Sequence, residues 1–180
     1  RVPTSGREET RQNLTAIRNA AWDFAQQPQD WIVFMGRSGV GKTHLAAAIA
    51  NHIRQSQPQI LFISIPRLLD HLRSSFSPNS ILPYDIRFEQ IKQAPLLVLD
   101  DLRAQASSPW AAEKLFQIID YRYLTRKPTV FTLSTQSGDI KEITAADPRI
   151  ASRLTDQGIC QLCRLKSSGR PRSRQIALKE

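Results

Sequence analysis

The chain has 180 residues, of which 41% are hydrophobic and 23% charged, a composition typical of one globular domain. Its formal net charge of +9 favours a polyanionic partner, most often nucleic acid. No apolar run approaches the ~20 residues of a membrane-spanning helix, and the polar start lacks the apolar core of a signal peptide. We therefore expect a cytoplasmic protein without membrane contact, and a piece of a longer chain, because Met does not precede Arg1.

Helical and strand patterns alternate along the chain, after polar residues 1–7 that we expect to be disordered. The predicted strands are Trp31–Met35, Ile60–Ile65, Leu96–Asp100, Thr129–Thr135 and Ile159–Leu165. The predicted helices are Glu8–Gln27, a stretch after Thr43 to about Gln55, Pro66 through Leu72, Tyr84–Gln93, Pro109 to about Arg126 with Ser108 as its cap, and Asp147–Leu154. Short apolar strands between amphipathic helices predict an α/β fold with a parallel sheet.

The chain divides into three parts by composition. Residues 1–30 form an N-terminal segment and helix, residues 31–166 form the α/β core, and residues 167–180 form a basic C-terminal segment. The region from Arg164 onward carries Arg164, Lys166, Arg170, Arg172, Arg174 and Lys179 against Glu180 alone. This region is either a solvated basic edge or a nucleic-acid contact. Because it contains no Phe, Tyr or Trp, a contact there would be made to phosphates.

A phosphate-binding motif follows the first predicted strand. The pattern G-x-x-x-x-G-K-[ST] is matched by Gly36, Arg37, Ser38, Gly39, Val40, Gly41, Lys42 and Thr43, with His44 directly after them. Glycines bring backbone N–H groups close to phosphate oxygens, and the following helix points its positive end at the same anion. Lys42 would reach the β and γ phosphates, and the Thr43 hydroxyl would be a ligand of Mg²⁺. The motif therefore predicts ATP and Mg²⁺ as cofactors.

A second motif, the acidic sequence LLVLDD, ends the third predicted strand. Carboxylates at the carboxyl end of a parallel strand lie where ligands bind in such sheets. Asp100 is the candidate that holds Mg²⁺ through its water shell, and Asp101 the candidate that orients or deprotonates the attacking water. A simple strand-end turn is the alternative. Neither motif decides between hydrolysis and phosphoryl transfer to another substrate.

Cys160 and Cys163 form the only Cys-x-x-Cys pair. A tetrahedral zinc site needs four ligands, and no second pair exists. We therefore interpret both cysteines as ordinary strand residues rather than as a redox motif or half of a metal site.

Longer segments carry a resemblance to a known family. These segments are GRSGVGKTHLAAAIANHI, RLLDHLRSSF, APLLVLDD, WAAEKLFQIIDYRYLTRKPTVFT and DPRIASRL. Together they resemble the DnaC/IstB-like ATP-binding proteins, bacterial AAA+ ATPases that include replicative helicase loaders and transposition ATPases. Tyr121–Tyr123 and Ser152–Leu154 make the resemblance more specific than the phosphate motif alone. It implies a five-stranded sheet of order 5-1-4-3-2 and a nucleotide bound between subunits.

The resemblance also implies roles for residues outside the two motifs. Arg153 corresponds to an arginine finger that a neighbouring subunit supplies, with Arg149 as the second choice and surface ion pairs as the alternative. Ser134 stands where many members have an Asn that contacts the attacking water, so hydrolysis is expected to be slow. Asp101 stands where many AAA+ enzymes have Glu. A sensor-2 arginine is not assigned securely, and its weak candidates are Arg170, Arg172 and Arg174.

The first function hypothesis is an ATPase of the helicase-loader class that acts in DNA replication. ATP would favour self-assembly through Arg153, and the assembly would grip single-stranded DNA. A replicative helicase would be bound through a region N-terminal to this chain. The alternatives are an IstB-like transposition ATPase, a nucleotide-binding switch that hydrolyses slowly, and a small-molecule kinase, which LLVLDD followed by Trp110–Arg126 disfavours.

Overall fold

The computed structural model describes residues 4–77, 81–102, 108–135, 140, 142 and 147–166. The five-stranded sheet consists of β1 (Trp31–Gly36), β2 (Ile60–Ser64), β3 (Leu96–Leu102), β4 (Thr129–Ser134) and β5 (Cys160–Arg164). The main helices are α1 (Thr4–Gln26), α2 (Lys42–Arg54), α3 (Ile65–Ser74), α4 (Tyr84–Gln93), α5 (Pro109–Leu124) and α6 (Pro148–Leu154). In the described ranges, no helix has the length and apolar character to cross a bilayer.

The predicted strands and helices are confirmed, with shifts at their ends. Helix α1 begins at Thr4, so the expected disorder is wrong for residues 4–7, while residues 1–3 lie outside the description. Apolar periodicity marks a helix only where it carries an apolar stripe, and the polar residues 4–7 give no such signal. Strand β3 continues to Leu102, past the predicted end at Asp100. Residues 78–80, between α3 and α4, lie outside the description.

All strand pairs in the sheet are parallel, and the order is β2-β3-β4-β1-β5. Read from β5 to β2, this is the predicted order 5-1-4-3-2, which is confirmed. Because every strand points the same way, the carboxyl ends of β1, β3 and β4 meet at one edge of the sheet. That edge therefore brings together the two motifs found in the sequence.

The sheet is covered on both faces, which explains its almost continuous apolar strands. Helices α1 and α2 pack on one face, against side chains that include Phe34 and Val130. Helices α3 to α6 pack on the other, against side chains that include Val33 and Phe131. Since neighbouring residues of β1 face opposite layers, all six of its residues are buried.

A buried arginine on α5 ties the amino ends of two strands together. Arg122 is 0% exposed. Its Nε donates to Thr129 Oγ1 at 2.9 Å, and its Nη1 donates to the carbonyl oxygens of Lys92 (2.8 Å) and Ala94 (2.9 Å). Its Nη2 donates to Pro128 O at 2.6 Å. Burial lowers the pKa of the guanidinium to about 10. These bonds connect α5 to the chain just before β3 and β4.

The two cysteines of β5 lie on opposite faces of the sheet. They are three residues apart in a strand, and Cys160 packs in one core layer while Cys163 packs in the other. Both thiols are free and buried, and burial raises the pKa of Cys160 to about 12 and that of Cys163 to about 11. No group of metal-binding side chains occurs among the residues described. Both cysteines thus occupy core positions of a strand, which fits the interpretation of them as ordinary strand residues.

Removal of the Arg122 guanidinium should destabilise the whole fold. In Arg122→Met, three carbonyl oxygens lose their buried donor, which should lower the free energy of unfolding by about 2–4 kcal/mol. Urea unfolding should show a lower midpoint with an unchanged slope. Arg11→Met is the control, because the Arg11 side chain is 77% exposed and pairs with Glu8 on the surface. Equal midpoints for the two variants would contradict this assignment.

Candidate nucleotide-binding site

The phosphate loop (Gly36–Thr43) connects the end of β1 to the start of α2. Gly39 and Gly41 have φ of +79° and +102°, values that side-chain-bearing residues rarely adopt. At Gly36 the limit is contact, because a Cβ there would lie 2.7 Å from the carbonyl oxygen of Leu165. The glycines of the motif are thus required by this backbone, whose α2 end presents free helix N–H groups to an anion.

Lys42 lies beneath the phosphate loop. Its Nζ donates to Gly36 O and to Arg37 O, both at 2.9 Å, and the residue is 5% exposed. Burial lowers the pKa of Lys42, and the charges of Asp101 and Asp100 oppose that shift. Two carbonyl oxygens therefore hold the ammonium at the loop, and a phosphate oxygen can replace them as hydrogen-bond acceptors.

Three side chains meet at the carboxyl end of β3. Thr43 Oγ1 donates to Asp100 Oδ1 at 2.9 Å, and Thr132 Oγ1 donates to the same oxygen at 2.7 Å. Thr132 Oγ1 also accepts a hydrogen bond from the backbone N–H of Asp101 at 2.8 Å. The structure thus brings the loop residue Thr43 and the strand residue Asp100 into direct contact, with β4 as a third support.

A β-bulge lies at the acidic motif. Leu99 pairs with Phe131, but Leu102 pairs with Leu133, so β3 has one more residue than β4 in this interval. Within it, Asp101 has φ of +61°. Asp adopts this left-handed conformation more readily than most residues, because its short polar side chain bonds locally. The bulge thus lies within the acidic motif, and β3 pairs with β4 again at Leu102.

The remaining residues of the predicted site occupy the same edge. Ser134 pairs with Gly36 across β4 and β1, and it lies on the face of β4 that carries Thr132. Arg37 and Ser38 are exposed in the loop, Val40 is half-buried and His44 is exposed in the first turn of α2. The roles predicted for these residues stay predictions.

The two candidates for the arginine finger lie on α6, which follows the phosphate loop at a long distance along the sequence. Both candidates form ion pairs. Arg153 Nε and Nη2 donate to Asp120 Oδ1 at 3.1 and 2.9 Å. Arg149 pairs with Glu113 at 3.1 Å and with Asp147 at 3.1 Å. The Arg153 side chain is 31% exposed and that of Arg149 is 46% exposed. The assignment of a finger therefore stays a prediction.

The weak sensor-2 candidates and the basic segment 167–180 lie outside the described residues. The chain before them is fixed to α1. Asn13 donates to Arg164 O at 3.1 Å and accepts from the Lys166 N–H at 3.2 Å, and Lys166 pairs with Glu9.

Two residues of this structure were missed by the sequence analysis. Thr132 contacts both aspartates, and the only signal for it is that it precedes Ser134 by two positions on the same strand face. Arg122 appeared in the sequence only as part of Tyr121–Tyr123. Its position on α5 gives no sign of the carbonyl groups that it binds.

The fold and the site together define a class. An all-parallel sheet of order 5-1-4-3-2, with a phosphate loop after β1 and aspartates at the end of β3, is that of a P-loop NTPase of the AAA+ type. A family model described as IstB-like ATP binding protein matches residues 9–171, and the chain belongs to this family.

Individual relatives agree with this placement. The chain is 31% identical over 134 residues to an ATP-binding protein of insertion sequence IS232 from Bacillus thuringiensis subsp. berliner, covering 74% of this chain and 51% of that protein. It is 29% identical over 119 residues to the replicative helicase loader DnaC of Buchnera aphidicola subsp. Schizaphis graminum, covering 66% and 48% respectively. The chain thus spans about half the length of these curated relatives. The crystal structure of DnaI matches with a TM-score of 0.66 at 26% identity, covering 86% of this chain and 81% of that one.

Lys42→Ala should abolish most nucleotide binding without unfolding the domain. A charged hydrogen-bond donor is worth about 1.5–3 kcal/mol, so ATP affinity should fall about ten- to a hundredfold. Titration calorimetry measures the affinity, and circular dichroism checks the fold. Lys127→Ala is the matched control, since Lys127 lies just before β4, at the opposite edge of the sheet. Unchanged ATP affinity in Lys42→Ala would refute the site.

Proposed function

We propose that this domain binds ATP with Mg²⁺ and hydrolyses it, as the ATPase module of a protein that assembles on DNA. The observation that carries the proposal is the 2.9 Å hydrogen bond from Thr43 Oγ1 to Asp100 Oδ1. It joins Thr43, in the first turn of the phosphate-facing helix α2, to a carboxylate near the carboxyl end of β3. Nucleotide binding is the shared property of the IstB-like family, and the hydrolysis step is our proposal.

The donor set of the site fits Mg²⁺. A hydroxyl and a carboxylate are hard oxygen ligands, which this ion prefers, and it usually retains several waters. Thr43 would bind it directly and Asp100 through its water shell. Bound there, Mg²⁺ would neutralise charge on the β and γ phosphates.

The chain's own residues account for the rest of the proposed reaction. Loop N–H groups and the Lys42 ammonium bind the β and γ phosphates. Asp101, turned by the bulge, orients the attacking water or accepts its proton. Ser134, at the end of β4, donates a hydrogen bond to that water or to the γ phosphate. Its short hydroxyl reaches less far than an amide, which supports slow turnover.

Arg153 supports a site that two subunits share. Asp120 fixes its guanidinium on the surface of α5, 5.6 Å from the centre of the Phe116 ring and 5.4 Å from that of Tyr123. A neighbour's γ phosphate carries more charge than one carboxylate, and it would compete with Asp120 for this arginine. We propose that assembly places Arg153 at the ATP of an adjacent copy, with Arg149 as the second candidate.

We propose DNA replication as the setting and a replicative helicase as the client. Support comes from the DnaC relative, which is named a replicative helicase loader, and from the net charge of +9, which favours single-stranded DNA as a partner. The core would be residues 31–166, with residues 1–30 leading into it and residues 167–180 as a basic extension. A region N-terminal to this sequence would bind the helicase.

Transposition is the second candidate function. The relative from insertion sequence IS232 is 31% identical to this chain, slightly more than the DnaC relative. The same ATPase would then serve a transposase instead of a helicase. A binding experiment in which the full-length protein captures a transposase, and no helicase, would favour this alternative. A third outcome is a nucleotide switch that binds ATP tightly without turnover.

ATP turnover against protein concentration tests the shared site. Turnover per subunit should rise with concentration and with single-stranded DNA, because assembly completes the site. In Arg153→Ala it should fall by a factor on the order of 10³. Arg126→Ala is the matched control: Arg126 pairs with Asp30 on the surface at 3.5 Å and precedes β4, at the edge remote from the site.

Constant turnover per subunit, equal in the parent and in Arg153→Ala, would contradict the shared site. Tight ATP binding with no turnover under any condition would identify the switch instead.

A further inference from the structure

Thr132 is the residue on β4 that contacts both aspartates of the site. We propose that it is a positioning residue, which sets Asp100 for the metal and Asp101 for the attacking water through one hydroxyl group. This inference rests on the proposed function, because it concerns how the chain prepares the ATP and Mg²⁺ site.

The bulge in β3 creates the need for such a residue. An extra residue in one strand leaves a backbone N–H without its ladder partner. Here the extra residue lies between the pairs Leu99–Phe131 and Leu102–Leu133, and Thr132 is the β4 residue between them. The Asp101 N–H donates to Thr132 Oγ1 at 2.8 Å, so a side chain replaces the missing backbone acceptor.

The hydrogen bonds have a fixed direction. A threonine hydroxyl has one proton, and since Oγ1 accepts from the Asp101 amide, that proton is donated to Asp100 Oδ1 at 2.7 Å. Thr43 donates to the same oxygen at 2.9 Å. Within the described part of the chain, Oδ2 of Asp100 is then the oxygen that receives no such bond. It is the oxygen left for the water shell of a metal.

Burial makes this arrangement rigid. Thr132 is 1% exposed, so water does not replace its hydroxyl. Its β-branched side chain is also restricted in χ1. Without the hydroxyl, the part-buried N–H of Asp101 loses this acceptor and Asp100 loses one of two donors. The backbone of Asp101, with its φ of +61°, then loses a hydrogen bond that supports this conformation.

A second buried threonine on the same strand separates this role from general stability. Thr129 is 0% exposed, and its Oγ1 accepts from Arg122 at the amino end of β4. Thr129→Val therefore removes a buried hydroxyl from β4 without touching either aspartate. It is the matched control for Thr132→Val, in which valine has nearly the same shape as the threonine that it replaces.

The experiment compares the parent with Thr132→Val, Thr132→Ser, Thr132→Ala and Thr129→Val. ATP affinity is measured with Mg²⁺ and with EDTA, and turnover gives kcat and KM. Thr132→Val should lose at least tenfold of the Mg²⁺-dependent gain in affinity and at least tenfold in kcat, with its affinity in EDTA unchanged. Thr132→Ser, which keeps the hydroxyl, should retain both. Thr129→Val should lower the unfolding temperature and keep the Mg²⁺-dependent gain.

Parental Mg²⁺ dependence and kcat in Thr132→Val overturn the inference, and so does an equal loss in Thr129→Val. If Thr132→Val does not fold, Thr132→Ala decides in the same way, since it also lacks the hydroxyl. A parent whose ATP affinity is the same in Mg²⁺ and EDTA overturns the proposed metal site itself, a result distinct from a failure at Thr132.

Discussion

One carboxylate oxygen joins the parts of this site. Asp100 Oδ1 accepts from Thr43 at the start of α2 and from Thr132 on β4, at 2.9 and 2.7 Å. Charge-assisted bonds of this kind are stronger than bonds between neutral groups. Since Thr43 ends the phosphate loop and Asp100 lies near the carboxyl end of β3, the two bonds fix the loop relative to the acidic strand. The spacing between the proposed phosphate-binding and metal-binding groups depends on this contact.

The rest of the fold keeps these strand ends aligned. Parallel pairing places the carboxyl ends of β1, β3 and β4 at one edge, and the buried side chains of both layers hold the sheet between helices. At the other edge, Arg122 binds carbonyl groups before β3 and β4. A buried guanidinium is costly unless its donors are hydrogen-bonded, and here four oxygen atoms accept from four of its five N–H groups. The pair of strands β3 and β4 is thus fixed at both ends, by Arg122 at the amino ends and by the bonds to Asp100 near the carboxyl ends.

Much of this architecture was predictable, and the limits have physical causes. The glycine spacing in Gly36–Thr43 specifies a local backbone conformation, and the aspartates after LLVL specify a local charge. The sequence alone therefore indicated the candidate site. The strand order came from the family resemblance, since alternating periodicity gives elements but no neighbours. The bulge at Asp101 and the bonds of Thr132 and Arg122 depend on the register between strands. A period of two residues does not encode that register.

We propose that ATP binds together with a metal ion that Thr43 holds directly and Asp100 holds through water. A crystal structure of the domain with a non-hydrolysable ATP analogue and Mn²⁺ tests it directly, because manganese is located by its anomalous scattering. We expect one manganese peak bonded to Thr43 Oγ1, with Asp100 bound to one of its waters and the triphosphate enclosed by the loop. A nucleotide bound elsewhere, or a manganese ion remote from both residues, would contradict it.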